Sequence, residues 1–306
     1  MKKIISYITD YFKEDCNYTY LVLLMVGTGI CIAINFGYIS EDEFIKADPR
    51  EWWRLLKYVG GYFIIFGGAY ALQLGVDFKD SRLRNGKLWL LILFAVVLFS
   101  LRAWWRQPIS LMSKIPFEYY TVVYKIIINL TGFFLLCIPC FIYWWFVDRG
   151  REKFYGFKAK GVILWPYFVL ILLMVPLLLW AGTQMDFQRV YPRADHLNLF
   201  PGQRYYQLAT IVYEICYSID YGVTEFFFRG FLIIAFARYV GPKAILPMCA
   251  FYVAIHFDKP LGECISSFFG GLILGIVSYR TRSIYGGIIV HLGIALLMEL
   301  VGWMHL

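Results

Sequence analysis

The strongest constraint in this chain is a series of apolar runs, most of them long enough to cross a bilayer and nearly free of charge. They read Tyr18–Ile39, Leu55–Val76, Leu88–Leu101, Ile126–Val147, Val162–Thr183, Tyr205–Tyr239, Ala244–His256, Cys264–Tyr279 and Ile284–Trp303. A helix rises about 1.5 Å per residue, so about 20 apolar residues match the hydrocarbon thickness of a membrane. The third and seventh runs are short and the sixth is long and interrupted by charge, which gives eight or nine spans. No run shows the apolar/polar alternation over about ten residues that a barrel strand needs. In lipid only helices and closed barrels pair all their backbone groups. The fold class expected is therefore all-α, a polytopic transmembrane helix bundle. Composition excludes a soluble domain: 60% of residues are hydrophobic and 16% charged.

The charges gather in islands between the runs, so the net charge of +8 points to lipid headgroups and topology, not to nucleic acid. One island is Lys79, Arg82, Arg84 and Lys87. A second is Arg149, Arg151, Lys153, Lys158 and Lys160, and a third is Arg280 and Arg282. Positive-inside placement of all three implies a cytoplasmic N-terminus and suits nine alternating spans. A multi-pass protein of the plasma membrane is the expected setting. Trp52, Trp53, Trp104, Trp105, Trp144 and Trp145 crowd the ends of runs, where an interfacial belt puts them. Lys2 and Lys3 precede a polar stretch, so the first apolar run reads as a retained anchor, not a cleaved signal. Seven scattered cysteines argue against a disulfide framework. Cys137 and Cys140 form a CxxC inside an apolar run with no second pair, which reads as packing.

The chain divides near residue 200. Residues 1–183 hold N-terminal transmembrane helices with ordinary loops, and 184–204 are a polar connector. Residues 205–306 carry Glu214, Asp220, Glu225, Arg229, His256 and His291 inside hydrophobic segments. A charge at bilayer depth costs roughly 2.5–3.5 kcal/mol on insertion scales, so such residues are functional or tightly paired. Glu225 and Arg229, four apart, share a helix face and can pair. His256 ends one run, just before the helix-ending Asp258-Lys259-Pro260, and His291 lies within the last. Gly271, Gly275 and Ser278 give the helix between them a small-residue face that permits close packing. Each element alone has a structural reading: a buried ion pair, or a histidine satisfied in the core. Together, one carboxylate and two imidazoles suit activation of water, a two-His one-carboxylate metal site, or a proton relay.

The motifs Glu225-x-x-x-Arg229-Gly230, Tyr252-x-x-x-His256, Gly271-Leu-Ile-Leu-Gly275, Thr281-Arg-Ser-Ile284 and His291 follow in order. This series resembles the CPBP family, the CAAX prenyl protease 2-like and bacteriocin-processing or self-immunity intramembrane proteases, over roughly residues 205–302. The resemblance implies a catalytic set of Glu225, His256 and His291, with Arg229, Tyr252, Thr224 and Ala295 as supporting positions. Family members carry a second glutamate where Thr224 stands, thought to polarise the attacking water with the histidine matching His256. They often carry Asn, an oxyanion donor, where Ala295 stands, and Phe in place of Tyr252. Catalysis then requires Glu225 to turn inward, or another carboxylate such as Glu214, Asp220 or Glu299 to serve.

The expected function is an intramembrane endopeptidase of the CAAX-protease type, with water activated by carboxylate and imidazole. Its partners would be membrane-embedded or lipidated peptides and the bilayer, without nucleic acid. No cofactor is implied, although a divalent metal on Glu225, His256 and His291 stays open on residue types alone. The alternative is a catalytically impaired peptide-binding, immunity or scaffold protein, for which Thr224 and Ala295 speak. A transporter using the same residues as a relay lacks support from an inverted repeat.

Overall fold

The computed structural model describes all residues except 106–111, 113, 151–152, 159–162, 201 and 306. Arg151 and Lys160 of the second basic island, and Val162 at the start of the fifth run, lie outside the described residues. The first part of the chain forms α1 (Lys2–Asp10), α2 (Tyr18–Gly37), α3 (Glu51–Tyr62), α4 (Gly68–Val76), α5 (Gly86–Trp104), α6 (Tyr120–Tyr143) and α7 (Trp165–Gly182). A short α8 (Met185–Gln188) lies in the connector. Then follow α9 (Tyr206–Glu225), α10 (Phe236–Val240), α11 (Ile245–Ala254), α12 (Leu261–Thr281) and α13 (Tyr285–Trp303). Among the described residues there is no strand.

Local chemistry sets several of these boundaries. The Asn17 side chain accepts from the Tyr20 N–H to start α2, and Asn85 accepts from the Lys87 N–H to start α5. Such caps satisfy donors that the first turn leaves orphaned. Pro139 and Pro176 sit inside α6 and α7, which lipid-embedded helices tolerate because neighbours absorb the freed carbonyl.

Among the described residues, eight stretches are long and apolar enough to cross a membrane, so the chain is a multi-pass integral membrane protein. Seven correspond to single apolar runs, and the short third run extends into a full 19-residue helix, Gly86–Trp104. The eighth is the 49-residue stretch Tyr206–Ala254. At 1.5 Å per residue it would reach about 70 Å, more than twice the hydrocarbon thickness. It breaks at Gly241, whose φ of 61° suits glycine, and folds back on itself. Phe228 meets Phe251 and Tyr252, whereas the later Ile233 shares Gly275 with Met248 and Ile245, so α11 runs antiparallel to Phe226–Ala235. With ten residues α11 spans about 15 Å, half a bilayer, and its C-terminal end delivers His256 to the bundle interior.

One hydrophobic cluster joins the two parts of the chain, from Tyr11 to Ile284, with Phe227, Phe228 and Phe231 at its centre. The segments that carry the basic islands are tied together by polar contacts. Arg280 bonds Asp15 at 2.8 Å, Lys243 bonds Asp77 at 3.0 Å and Asp80 at 2.7 Å, and the Ile284 N–H donates to the Gly156 carbonyl at 3.1 Å. Hydrogen bonds from Arg82, then from Lys243, hold the Asp80 carboxyl well below the usual carboxylate range. A depressed folded-state pKa contributes stability above about pH 4 that is lost as pH falls below it. Acidification below about pH 4 should therefore loosen these contacts first, and Asp80→Asn should flatten that pH dependence in thermal melts of the protein in nanodiscs.

The small-residue face of α12 packs as its spacing predicts. A Cβ on Gly275 would stand 2.9 Å from Met248 Cε and 3.1 Å from Ile233 Cδ1, while one on Gly271 would make ordinary contact with Tyr252. Gly275→Leu should thus wedge α12 away from α11, at a cost of about 1–3 kcal/mol typical of overpacking. A thermal midpoint equal to wild type would contradict this packing.

Candidate active site

Glu225 ends α9, and beyond it the helix widens into π-type turns over Phe226–Ala235. Such insertions recur at functional sites because they re-aim side chains without ending the helix. Glu225 is fully buried and Arg229 1% exposed. The Arg229 Nη1 lies 3.1 Å from Glu225 Oε1, a close ion pair whose angle does not make a hydrogen bond. The guanidinium stacks on the Tyr252 ring at 3.9 Å. The same Oε1 accepts from His291 Nδ1 at 2.9 Å. Glu225 Oε2 has no hydrogen-bond partner and lies against Gly287, where a Cβ would come within 2.2 Å of it. Glycine at 287 is therefore what lets α13 approach closely enough for His291 to reach the carboxylate.

Tyr252 links this group to the second histidine. Its hydroxyl is 3.3 Å from His291 Nε2, and its backbone carbonyl accepts from His256 Nδ1 at 2.7 Å. A carbonyl only accepts, so His256 carries its proton on Nδ1 and a lone pair on Nε2. That Nε2 stands 4.0 Å from Glu263 Oε1, and Glu263 Oε2 accepts from the Tyr191 hydroxyl at 3.0 Å. The Tyr221 ring packs edge-on against His291 at 4.7 Å, and its hydroxyl donates to Tyr217 at 2.5 Å.

Both histidines line a cavity of about 370 Å³ with Thr224, Asp220, Tyr221 and Glu263. Arg102, Lys125, Arg193 and Lys259 add positive charge to its wall. Glu225 does not line it. Successive helical residues are rotated by about 100°, so Thr224 faces the cavity while Glu225 is sealed behind His291. The inward turn of Glu225 towards water, expected from the sequence, is thus replaced by a bond to the second imidazole. Ala295 is buried and outside the cavity wall. Asp220 lines the cavity, but Arg102 holds both its oxygens, at 2.5 and 2.7 Å. Glu214 and Glu299 line a separate groove, and Glu299 accepts from the Arg193 and Ala194 N–H groups at 3.1 and 3.4 Å. Among the described residues, no group of three His, Cys, Asp or Glu side chains is disposed to share a metal ion.

The family model described as type II CAAX prenyl endopeptidase Rce1-like matches residues 208–297. This stretch is similar to that family. No curated protein and no solved structure matches the chain. The Rce1-like stretch contains every residue named above for the two imidazole groups except Tyr191, which the connector contributes. Sequence reasoning overlooked Glu263 because it sits one residue before the eighth apolar run, where a charge is ordinary. Tyr213, Tyr217 and Tyr221, spaced by four, are the signal that could have marked a lining face.

The buried chain Arg229–Glu225–His291 makes a stability prediction. Removing one partner of a buried ion pair leaves the other uncompensated, at about 3–5 kcal/mol. Glu225→Ala should cost this much, and Glu225→Ala with Arg229→Met should recover most of it. Additive losses in thermal or denaturant melts would mean that the two charges are independent.

Proposed function

We propose that this protein is an intramembrane endopeptidase of the CAAX-protease type, acting on membrane-embedded or lipidated peptides. The observation that carries the reading is the convergence of two imidazoles, each with Nδ1 committed, on one polar cavity inside a lipid-embedded bundle. Peptide hydrolysis needs an oriented water, a group that takes its proton, and a donor for the oxyanion that forms on the carbonyl. His256 offers the lone pair of Nε2 to water. His291, whose Nδ1 is held by the Glu225 carboxylate, is placed to donate from Nε2, when protonated, to the developing oxyanion. Arg229 neutralises Glu225 and fixes its rotamer, and Tyr252 sets the spacing of the two rings. A cavity walled by apolar helices strengthens each of these interactions relative to water.

A second reading, a peptide-binding protein without turnover, draws support from Thr224, which puts a hydroxyl on the cavity wall where the family carries a carboxylate. Threonine does not act as a base near neutral pH.

Cleavage of a peptide library by purified protein in lipid nanodiscs, with and without prenylated C-termini, separates the two. Hydrolysis lowered about 10²–10⁴-fold by His256→Ala, and by His291→Ala, supports the peptidase. Binding without cleavage by wild type, together with cleavage gained by Thr224→Glu, would instead identify a retired site. Glu225→Gln should lower kcat with little change in KM, since the carboxylate touches His291 and not the substrate.

A further inference from the structure

Thr224 leaves the water-activating side of the site without the carboxylate that this chemistry needs, and Glu225 is turned away. Four carboxylates line the cavity: Glu41, Asp220, Asp258 and Glu263. Lys46 approaches Glu41 at 3.5 Å and Asp258 at 3.5 Å, and Arg102 clamps Asp220. Glu263 alone of the four, among the described residues, is free of a lysine or arginine ion pair. We propose that Glu263 is the catalytic carboxylate, acting with His256 on the hydrolytic water in place of the residue that Thr224 replaces. This inference rests on the peptidase reading above.

Three observations support it. Glu263 stands in the first turn of α12, where the helix N-terminus favours a negative charge. Its Oε2 is anchored by the Tyr191 hydroxyl at 3.0 Å, which leaves Oε1 directed at His256. The 4.0 Å gap from Oε1 to His256 Nε2 is too long for a direct hydrogen bond. It does accommodate one water within about 2.8 Å of both atoms, at the apex of a triangle. The tautomer of His256 matters here: with Nδ1–H committed to the Tyr252 carbonyl, Nε2 can accept from that water and orient it. Glu263 therefore supplies from α12 what the family supplies from the helix that bears Thr224.

The step balances without any co-reactant. One O–H bond of the water breaks and its proton passes to Glu263 Oε1, while the second hydrogen donates to His256 Nε2. The water oxygen forms a bond to the scissile carbonyl carbon, and the π pair moves onto the carbonyl oxygen, where the Nε2–H of protonated His291 donates. On collapse the C–N bond breaks, its electron pair goes to nitrogen, and Glu263 returns the proton to that nitrogen. The products are a carboxylic acid and an amine.

The test compares wild type, Glu263→Gln, Glu263→Asp, and Thr224→Glu combined with Glu263→Gln, on the peptide that wild type cuts fastest in nanodiscs. Loss of a general base costs about 10²–10⁴-fold, so Glu263→Gln should lower kcat by at least a hundredfold with KM within about threefold. The added glutamate at 224 should restore at least a tenth of the wild-type rate, a rescue that a merely structural role for Glu263 would not give. If Glu263→Gln lowers the thermal midpoint, Glu263→Asp decides. It keeps the charge at the helix end but draws the carboxylate back by one methylene, and should still lose at least tenfold in kcat. Wild-type turnover in Glu263→Gln or Glu263→Asp, or no rescue from position 224, overturns this role and leaves the peptidase reading standing. A wild-type protein inert to every peptide overturns both.

Discussion

The contact on which the site depends is the burial of Arg229 and Glu225 against each other at 3.1 Å, inside a helix bundle that leaves both almost wholly unexposed. Either ion alone would cost several kcal/mol in such surroundings. Once paired, they become a fixed electrostatic element. The guanidinium stacks on Tyr252, and the carboxylate reaches through the gap left by Gly287 to His291. Tyr252 in turn bonds His256 through its carbonyl. Two histidines, one on α13 and one just past the end of α11, thereby meet around Tyr252 and the ion pair. That pair needs the wide turns after Glu225 and the close approach of α13.

Lipid shapes the rest. With hydrocarbon outside, the bundle gains little from hiding apolar surface, and the helices associate through close packing and internal polar contacts. The centre of the fold is accordingly the aromatic stretch Phe226–Ala235, clasped by the short α11 that folds back along it. α11 is too short to cross the bilayer, and its shortness matters to the site. It ends inside the bundle, so that His256 and the turn to Glu263 border a cavity instead of open water. The cavity wall is polar and carries both acidic and basic side chains.

Much of this was legible in the sequence, for identifiable reasons. Hydrophobic runs report helices in lipid because nothing else satisfies the backbone there, so the class and approximate number of spans followed from Tyr18 to Trp303 without coordinates. The break at Gly241 falls between the sixth run, which ends at Tyr239, and the seventh, which starts at Ala244. Glu225, Arg229, His256 and His291 stood out because ionisable groups are expensive within apolar segments. Glu263 did not stand out, since at the margin of a run a charge costs little and carries no signal. The orientation of Glu225 was also hidden: which of two adjacent residues, Thr224 or Glu225, faces the cavity depends on the rotation of a helix whose turns widen at that point.

The sequence by itself determined a polytopic helical membrane protein, with ionisable residues inside the apolar segments of its last third and a resemblance to CAAX proteases. These follow from local quantities, namely run length, charge within a run, and motif spacing. Only the tertiary structure decided that Glu225 belongs to His291, that Thr224 meets the cavity, and that Glu263 stands beside His256. Those are distances between separate helices. They depend on glycine clearances, helix rotation and a reversal of chain direction at Gly241, none of which hydropathy or spacing encodes.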